Sequence, residues 1–211
     1  MQANADTKTR LMEAGRKIFA EHGLEKARIR DICAMAGTNV AAVNYHFGSK
    51  DRFYITVLAE NVSQAKERHP LDAGITAESS PKDRLKAFVR GMLEHFLTEE
   101  DDVSAKLSKL VLQELLSPSM HFGELVEKHI RPVNQKLRDI VQGMLPNAPG
   151  DIVSRCTGSI MAQFALFRFD KQVRESMGPE YSIENDEFDD VAQAILDFSL
   201  GGIERLRALH G

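Results

Sequence analysis

The sequence predicts an all-α protein of two domains. Three observations lead there. Apolar residues recur at the helical spacing i, i+3, i+4, i+7 through most of the chain; no stretch shows the strict alternation of a half-buried strand; and Gly, Pro and Ser/Asp cap residues fall between the periodic stretches. The 211 residues, 43% of them hydrophobic, suffice for one sizeable core or two.

The first helix is expected over about 7–22, with Leu11, Ile18, Phe19 and His22 along one side and Gly23 as its stop. In the next, Ile29, Ile32, Cys33 and Ala36 make one apolar stripe, and Gly37 supplies the permissive backbone of a sharp turn. Val40, Val43 and Phe47 then anchor a second short helix against the first. Two short helices across such a turn read as a helix-turn-helix, whose second helix enters the DNA major groove. Opposite its stripe lie Thr38, Ala41, Ala42 and Tyr45, flanked by Asn39, Asn44 and His46, with no carboxylate among them. Asn can bridge adenine and small apolar groups can meet a thymine methyl. Ser49 reads as the N-cap of a longer helix, 49–68, with Lys50 placed to meet a phosphate at its start.

The run from Arg10 to Phe53 resembles the DNA-binding domain of TetR-family transcriptional regulators. The opening RLMEAGRKIFAEHG, the IRDICAMAG helix and turn, and the closing NYHFGSKDRFY carry the resemblance. It implies phosphate or base contacts from Arg28, Thr38, Asn39, Ala41, Asn44, Tyr45, His46 and Lys50. The family often has an aromatic residue where Asn44 stands, so the base preference does not carry over.

Residues 70–80, PLDAGITAESS, read as a linker, giving candidate domains of 1–52 for DNA binding, 53–80 for a connecting helix and linker, and 81–211 for regulation and dimerisation. Ser80-Pro81 is a cap followed by Pro at the first helical position, and Leu85, Phe88, Val89, Met92, Leu93 and Phe96 form a strong stripe after it. Further helices are expected over about 103–116, 120–145, 150–172 and 188–209, the second of them kinked or broken by Pro132. The segment 107–137, with QELLSPS and the stretch from His129 to Val133, is similar to the regulatory domain of a TetR subgroup. That subgroup includes the enteric regulator linked to cephalosporin and chloramphenicol sensitivity; AQFALFRFDKQ at 162–172 supports the match.

The overall charge of −4 argues against a nucleic-acid binder, but its distribution does not. Residues 1–52 hold 9 Lys and Arg against 6 Asp and Glu, a net +3, and the remaining 18 basic and 25 acidic residues leave −7. A basic head on an acidic body suits DNA contact at one end. Cys33 and Cys156 lie on apolar stripes and read as buried thiols of a reducing cytosol. The polar N-terminus has no signal-peptide core and no apolar run reaches the ~18 residues a bilayer span needs, so a cytoplasmic protein without membrane contact is expected.

Catalytic signatures such as G-x-S-x-G, a P-loop, H-E-x-x-H or C-x-x-C are absent, so no enzyme and no cofactor are expected. His95, His121 and His129, even with Glu114 or Glu124, lack the spacing of a closed zinc site, so no metal is assigned. The stripes of four helices carry Met92, Phe96, Leu110, Phe122, Met161 and Phe164, candidates for the wall of a small-molecule pocket. Gln113 and Glu114, with Gln163 and Arg168, are the polar residues beside those stripes. The favoured reading is a homodimeric repressor that leaves a palindromic operator when a small apolar, drug-like effector binds. Recognition helices ~34–36 Å apart reach successive major grooves, and helix 49–68 is the natural lever for changing that spacing. Two readings remain beside it: a ligand-independent DNA-binding protein of the same fold that takes a protein partner, and a small helical enzyme with a coincidental hairpin.

Overall fold

Packing around one aromatic cluster shapes the N-terminal part. A computed structural model of the chain describes residues 2–97, 101–165, 167, 173, 176–178 and 187–210, with side chains from Asp6 onward. It is all-α among those residues, and its first four helices are α1 (Gln2–Lys26), α2 (Ile29–Ala36), α3 (Val40–Phe47) and α4 (Lys50–Arg68). Gly23 interrupts α1 at φ 64°, a backbone that side chains other than glycine's resist. The stop expected there is a break, with helical backbone on both sides. His22 is exposed and does not join Leu11 and Phe19 in the core. Phe53 near the start of α4 is fully buried, stacks on Phe47 of α3 at 4.0 Å and meets Phe19 of α1 edge-on at 5.5 Å. A Cβ at Gly15 would sit 2.7 Å from that Phe53 ring, so α1 passes α4 closely only because position 15 has no side chain.

The compact units are interleaved in sequence. The first joins residues 1–65 with 99–131, and the second joins 66–98 with 132–211. The sequence boundaries at 52 and 80 assumed contiguous blocks, whereas α6 (Asp102–Leu116) and α7 (Phe122–Leu125) pack into the same core as α1 to α4. Leu107, Val111, Phe122 and Leu125 share that core with Leu11, Ile32 and Leu58. Arg16 of α1 donates to Ser104 Oγ at 3.1 Å, and Asn61 of α4 donates to Ser108 Oγ at 3.3 Å. Asp101 caps α6 by accepting from the Ser104 N–H at 2.8 Å.

After α7 the helix widens into a π-helical turn, Val126–Ile130, in which the Arg131 N–H reaches Val126 O. Pro132 follows as the second residue of α8 (Arg131–Met144). A proline there has no N–H and clashes with the carbonyl four residues back, and one wide turn moves that carbonyl aside. The break expected at Pro132 therefore takes the form of a bulge just before it.

The second unit contains α5 (Pro81–Leu97), most of α8, α9 (Gly150–Gln163) and α10 (Phe188–His210) around Leu85, Phe88, Leu93, Leu137, Val141, Val153, Phe164 and Ile203. Ser80 caps α5 reciprocally with Asp83: Asp83 N–H to Ser80 Oγ at 3.2 Å, Ser80 N–H to Asp83 Oδ2 at 3.3 Å. The 70–80 linker is docked on α5. Leu71 is buried, and Arg84 donates to the carbonyls of Thr76, Ala77 and Ser79. α9 ends at Gln163, followed by buried Phe164 and Phe167. Arg168, Phe169 and the rest of the helix expected to 172, with most of the acidic loop at 177–187, lie outside the described residues. Cys33 and Cys156 are free and buried, and burial pushes both thiols up.

His95 on α5 donates from Nε2 to His69 O at 2.6 Å, and His69 Nδ1 lies 3.3 Å from Glu94. Burial holds the His95 imidazole down at about 4, and the nearby His69, Lys66 and Arg68 charges push the same way, against the His69 carbonyl bond. The native state thus keeps His95 neutral while the unfolded chain takes a proton near 6.5. Stability is full above pH 6.5 and falls by about 3 kcal/mol on acidification to pH 4. Urea midpoints measured across that window should drop less for His95→Gln than for the unsubstituted chain. Gly15→Ala should destabilise by ~1 kcal/mol or more, because overpacking against Phe53 outweighs alanine's better helix propensity.

Candidate nucleic-acid interface

The recognition segment is built by caps and by two basic side chains that bind carbonyls. Gly37 sits at φ 61°, ψ 43° and closes α2: its N–H meets Ala34 O, and the Thr38 N–H meets Cys33 O at 3.0 Å. Arg10 of α1 donates from Nη1 to Ala36 O at 2.9 Å, tying the end of α2 to α1. Asn39 Oδ1 accepts from the Ala42 N–H at 3.1 Å and so caps α3. Gly48 ends α3 at φ 79°, and Ser49 Oγ caps α4 through the Arg52 N–H at 3.2 Å. Lys50 Nζ donates to Glu25 O at 3.2 Å.

Val43 and Phe47 are buried, as their stripe requires, but Val40 is 42% exposed. It occupies the first turn of α3, where a side chain leans back past the helix start and finds no neighbour to cover it. The expected third anchor thus belongs to the outer surface. Arg28, Asn39, Ala41, Asn44 and Tyr45 are exposed, and Thr38, His46 and Lys50 half-buried. Tyr45, 74% exposed, meets the His46 ring edge-on at 5.0 Å. Two contributors escaped the sequence reading. Met35 on α2 is 52% exposed, legible as a residue off the α2 stripe. Arg10 pairs locally with Asp6, but its bond to Ala36 O spans 26 residues and leaves no local signal.

The residues singled out for a small molecule divide between the units. Leu110, Glu114 and Phe122 pack in the first unit, where Gln113 is exposed. Met92, Phe96, Met161 and Phe164 pack in the second, with the Phe96 and Phe164 rings 6.4 Å apart. Glu114 is buried; Oε2 accepts from the Ser119 N–H at 2.9 Å, and the Tyr54 hydroxyl bonds to the same carboxylate. Burial, then the Glu114 charge, push the Tyr54 hydroxyl well above its usual range. Among the described residues no three His, Cys, Asp or Glu side chains gather as a metal ion requires, and no helix is long and apolar enough to cross a membrane.

Residues 11–56 match the family described as bacterial regulatory proteins, tetR family. Residues 81–203 match the C-terminal domain of the HTH-type transcriptional dual regulator CecR. This is a TetR-family chain with a CecR-type C-terminal domain. The dual regulator CecR of Shigella flexneri is 30% identical over 143 residues, covering 64% of this chain and 62% of that protein. The repressor AcnR of Corynebacterium efficiens is 30% identical over 89 residues, 42% of each. The chain thus spans less than two thirds of these relatives. A crystal structure of a putative transcriptional regulator from Pseudomonas aeruginosa PAO1 shares the fold at TM-score 0.68 and 18% identity, over 95% of this chain and 93% of that one.

Tyr45 and Lys50 have different expected roles from sequence, and one variant of each separates them. Lys50→Ala should remove one phosphate contact and reduce the slope of log K against log salt by roughly 0.9. Tyr45→Ala should weaken a specific operator more than random DNA. Equal losses on both DNAs for both variants would make Tyr45 a backbone anchor only. Fluorescence anisotropy titrations between 50 and about 200 mM salt, the range over which such contacts are felt, read both effects.

Proposed function

We propose that this TetR-family protein is a DNA-binding transcriptional regulator that recognises a palindromic operator as a homodimer and is released from it by a small effector. The observation that carries DNA binding is the outer surface of α3. It is an acid-free face with exposed Ala41, Asn44 and Tyr45, held by a cap at Asn39 and flanked by Arg28 and Lys50. Repression fits the regulator named as a repressor among the relatives.

Dimerisation is proposed through α9 and α10. Phe198 on α10 is 75% exposed, and at Gly158, Gly201 and Gly202 an added Cβ would meet only open space. Ala162 on α9 and Ala194 and Ala208 on α10 extend this surface of small exposed residues. Small residues beside one large ring let a second copy approach closely, and a two-fold axis there matches operator symmetry. For the effector, the proposed apolar contacts are Met92, Phe96, Met161 and Phe164, which pack together in the second unit. A second reading, in which a protein takes the effector's place, is favoured by Leu116 and Met120, 79% and 87% exposed at the end of α6 and just after it.

Gel retardation with the DNA upstream of the chain's own gene, against random DNA of equal length, tests the main reading: specific retardation is expected, and none would overturn it. Light scattering at micromolar concentration should give a dimer. Phe198→Glu should convert it to a monomer and lower operator affinity at least tenfold, because each half-site then binds alone. A dimer that survives the charge would move the interface elsewhere. A thermal-shift screen of small molecules that finds no stabilising compound would favour the protein-partner reading.

A further inference from the structure

On the reading that α3 enters the major groove of an operator, we propose that Val40 is a specificity-determining residue that reads the C5-methyl group of a thymine in each half-site. Val40 continues the stripe of Val43 and Phe47, yet those two are buried and Val40 is 42% exposed. It stands in the first turn of α3, where a side chain leans past the helix start. That start is the end of a recognition helix that meets base edges in a helix-turn-helix. A lone exposed valine on an arbitrary surface needs no explanation. At this position its neighbours supply one.

Asn39, just before Val40, carries an amide that could bridge adenine, but its Oδ1 already accepts from the Ala42 N–H at 3.1 Å. An adenine bridge needs that oxygen for the N6 amine while Nδ2 reaches N7. With the oxygen turned to the helix backbone, the bridge falls to exposed Asn44, further along α3. Ala41, also exposed, adds one more methyl to the leading turn. That turn therefore meets base edges with side-chain carbon in place of a donor–acceptor pair. α3 carries no Arg or Lys, the commonest readers of guanine. In the major groove of unmodified DNA the one apolar group on a base is the thymine C5-methyl. Valine suits it, because branching at Cβ leaves one strongly preferred rotamer in a helix and holds both methyls in place.

The DNA upstream of the chain's own gene, amplified once with dTTP and once with dUTP, tests the assignment by fluorescence anisotropy on the full chain. Uracil keeps the O4 acceptor and the pairing of thymine and lacks only the methyl, and amplified DNA holds no 5-methylcytosine to supply another. One buried methyl is worth about fourfold in affinity, so uracil in both half-sites should weaken specific binding by roughly 15-fold. Val40→Ala should weaken binding to the thymine fragment by at least about fourfold and lose most of the uracil penalty. Lys50→Ala, which acts on a different contact, should keep that penalty in full. Position 40 is exposed and alanine is the better helix former, so Val40→Ala should keep the thermal midpoint. If it does not, Val40→Thr gives the same comparison. Equal affinity for the thymine and uracil fragments would overturn the assignment, and a full uracil penalty in Val40→Ala would move the methyl contact to another residue. Failure of the unsubstituted chain to prefer its upstream DNA over random DNA overturns the regulator reading itself, whereas methyl-blind binding by an operator-competent protein overturns only the role of Val40.

Discussion

The recognition helix is only as rigid as the stack of Phe53 on Phe47. Phe47 is the last residue of α3 and Phe53 lies in the first turn of α4, so their 4.0 Å contact fixes the angle at which one short helix gives way to a long one. Phe19 closes the cluster from α1, with Tyr54 beside it at 5.3 Å. An eight-residue helix has little stability of its own. Its shape comes from these rings, from the Asn39 cap and from Val43 beneath. Removing the Gly15 gap would push on the same ring and be felt at the outer surface of α3.

The helix-turn-helix was legible because everything that defines it is short-range. Gly37, Asn39, Gly48 and Ser49 act on backbone within four residues of themselves, and the α2 stripe needs only the helical period. Val40 shows where that period fails. A stripe marks the side that faces the core, but the helix start overhangs it. The division into units was not legible at all. Nothing in the pattern of α6 says that its apolar side belongs with α1 and α4, since that pairing rests on contacts such as Arg16 to Ser104, 88 residues apart. The same limit applied to Gln113 and Glu114. Adjacent polar residues look alike in sequence, and only the packing buries one and exposes the other.

Polar bonds mark the register of α4 against α6. Tyr54 pairs with Glu114 and Asn61 with Ser108, so the two helices run in opposite directions, with the polar pairs about two helical turns apart. Apolar side chains alone tolerate small slips, but a shift by one turn would strand a carboxylate and an amide in the core. Such rungs hold a single alignment at some cost in stability, which suits a helix that carries the reading head at one end.

Interleaving also decides how such a protein could be taken apart or recombined. The chain passes from one unit to the other near residues 65, 98 and 131. A fragment ending at 65 would carry every candidate DNA-contact residue yet leave Leu107, Val111, Phe122 and Leu125 out of its core. Grafting this head onto another sensor would therefore mean moving two separate stretches of chain together. A single crossover near 65 cannot do that, and one near 131 would carry residues 66–98 of the second unit along.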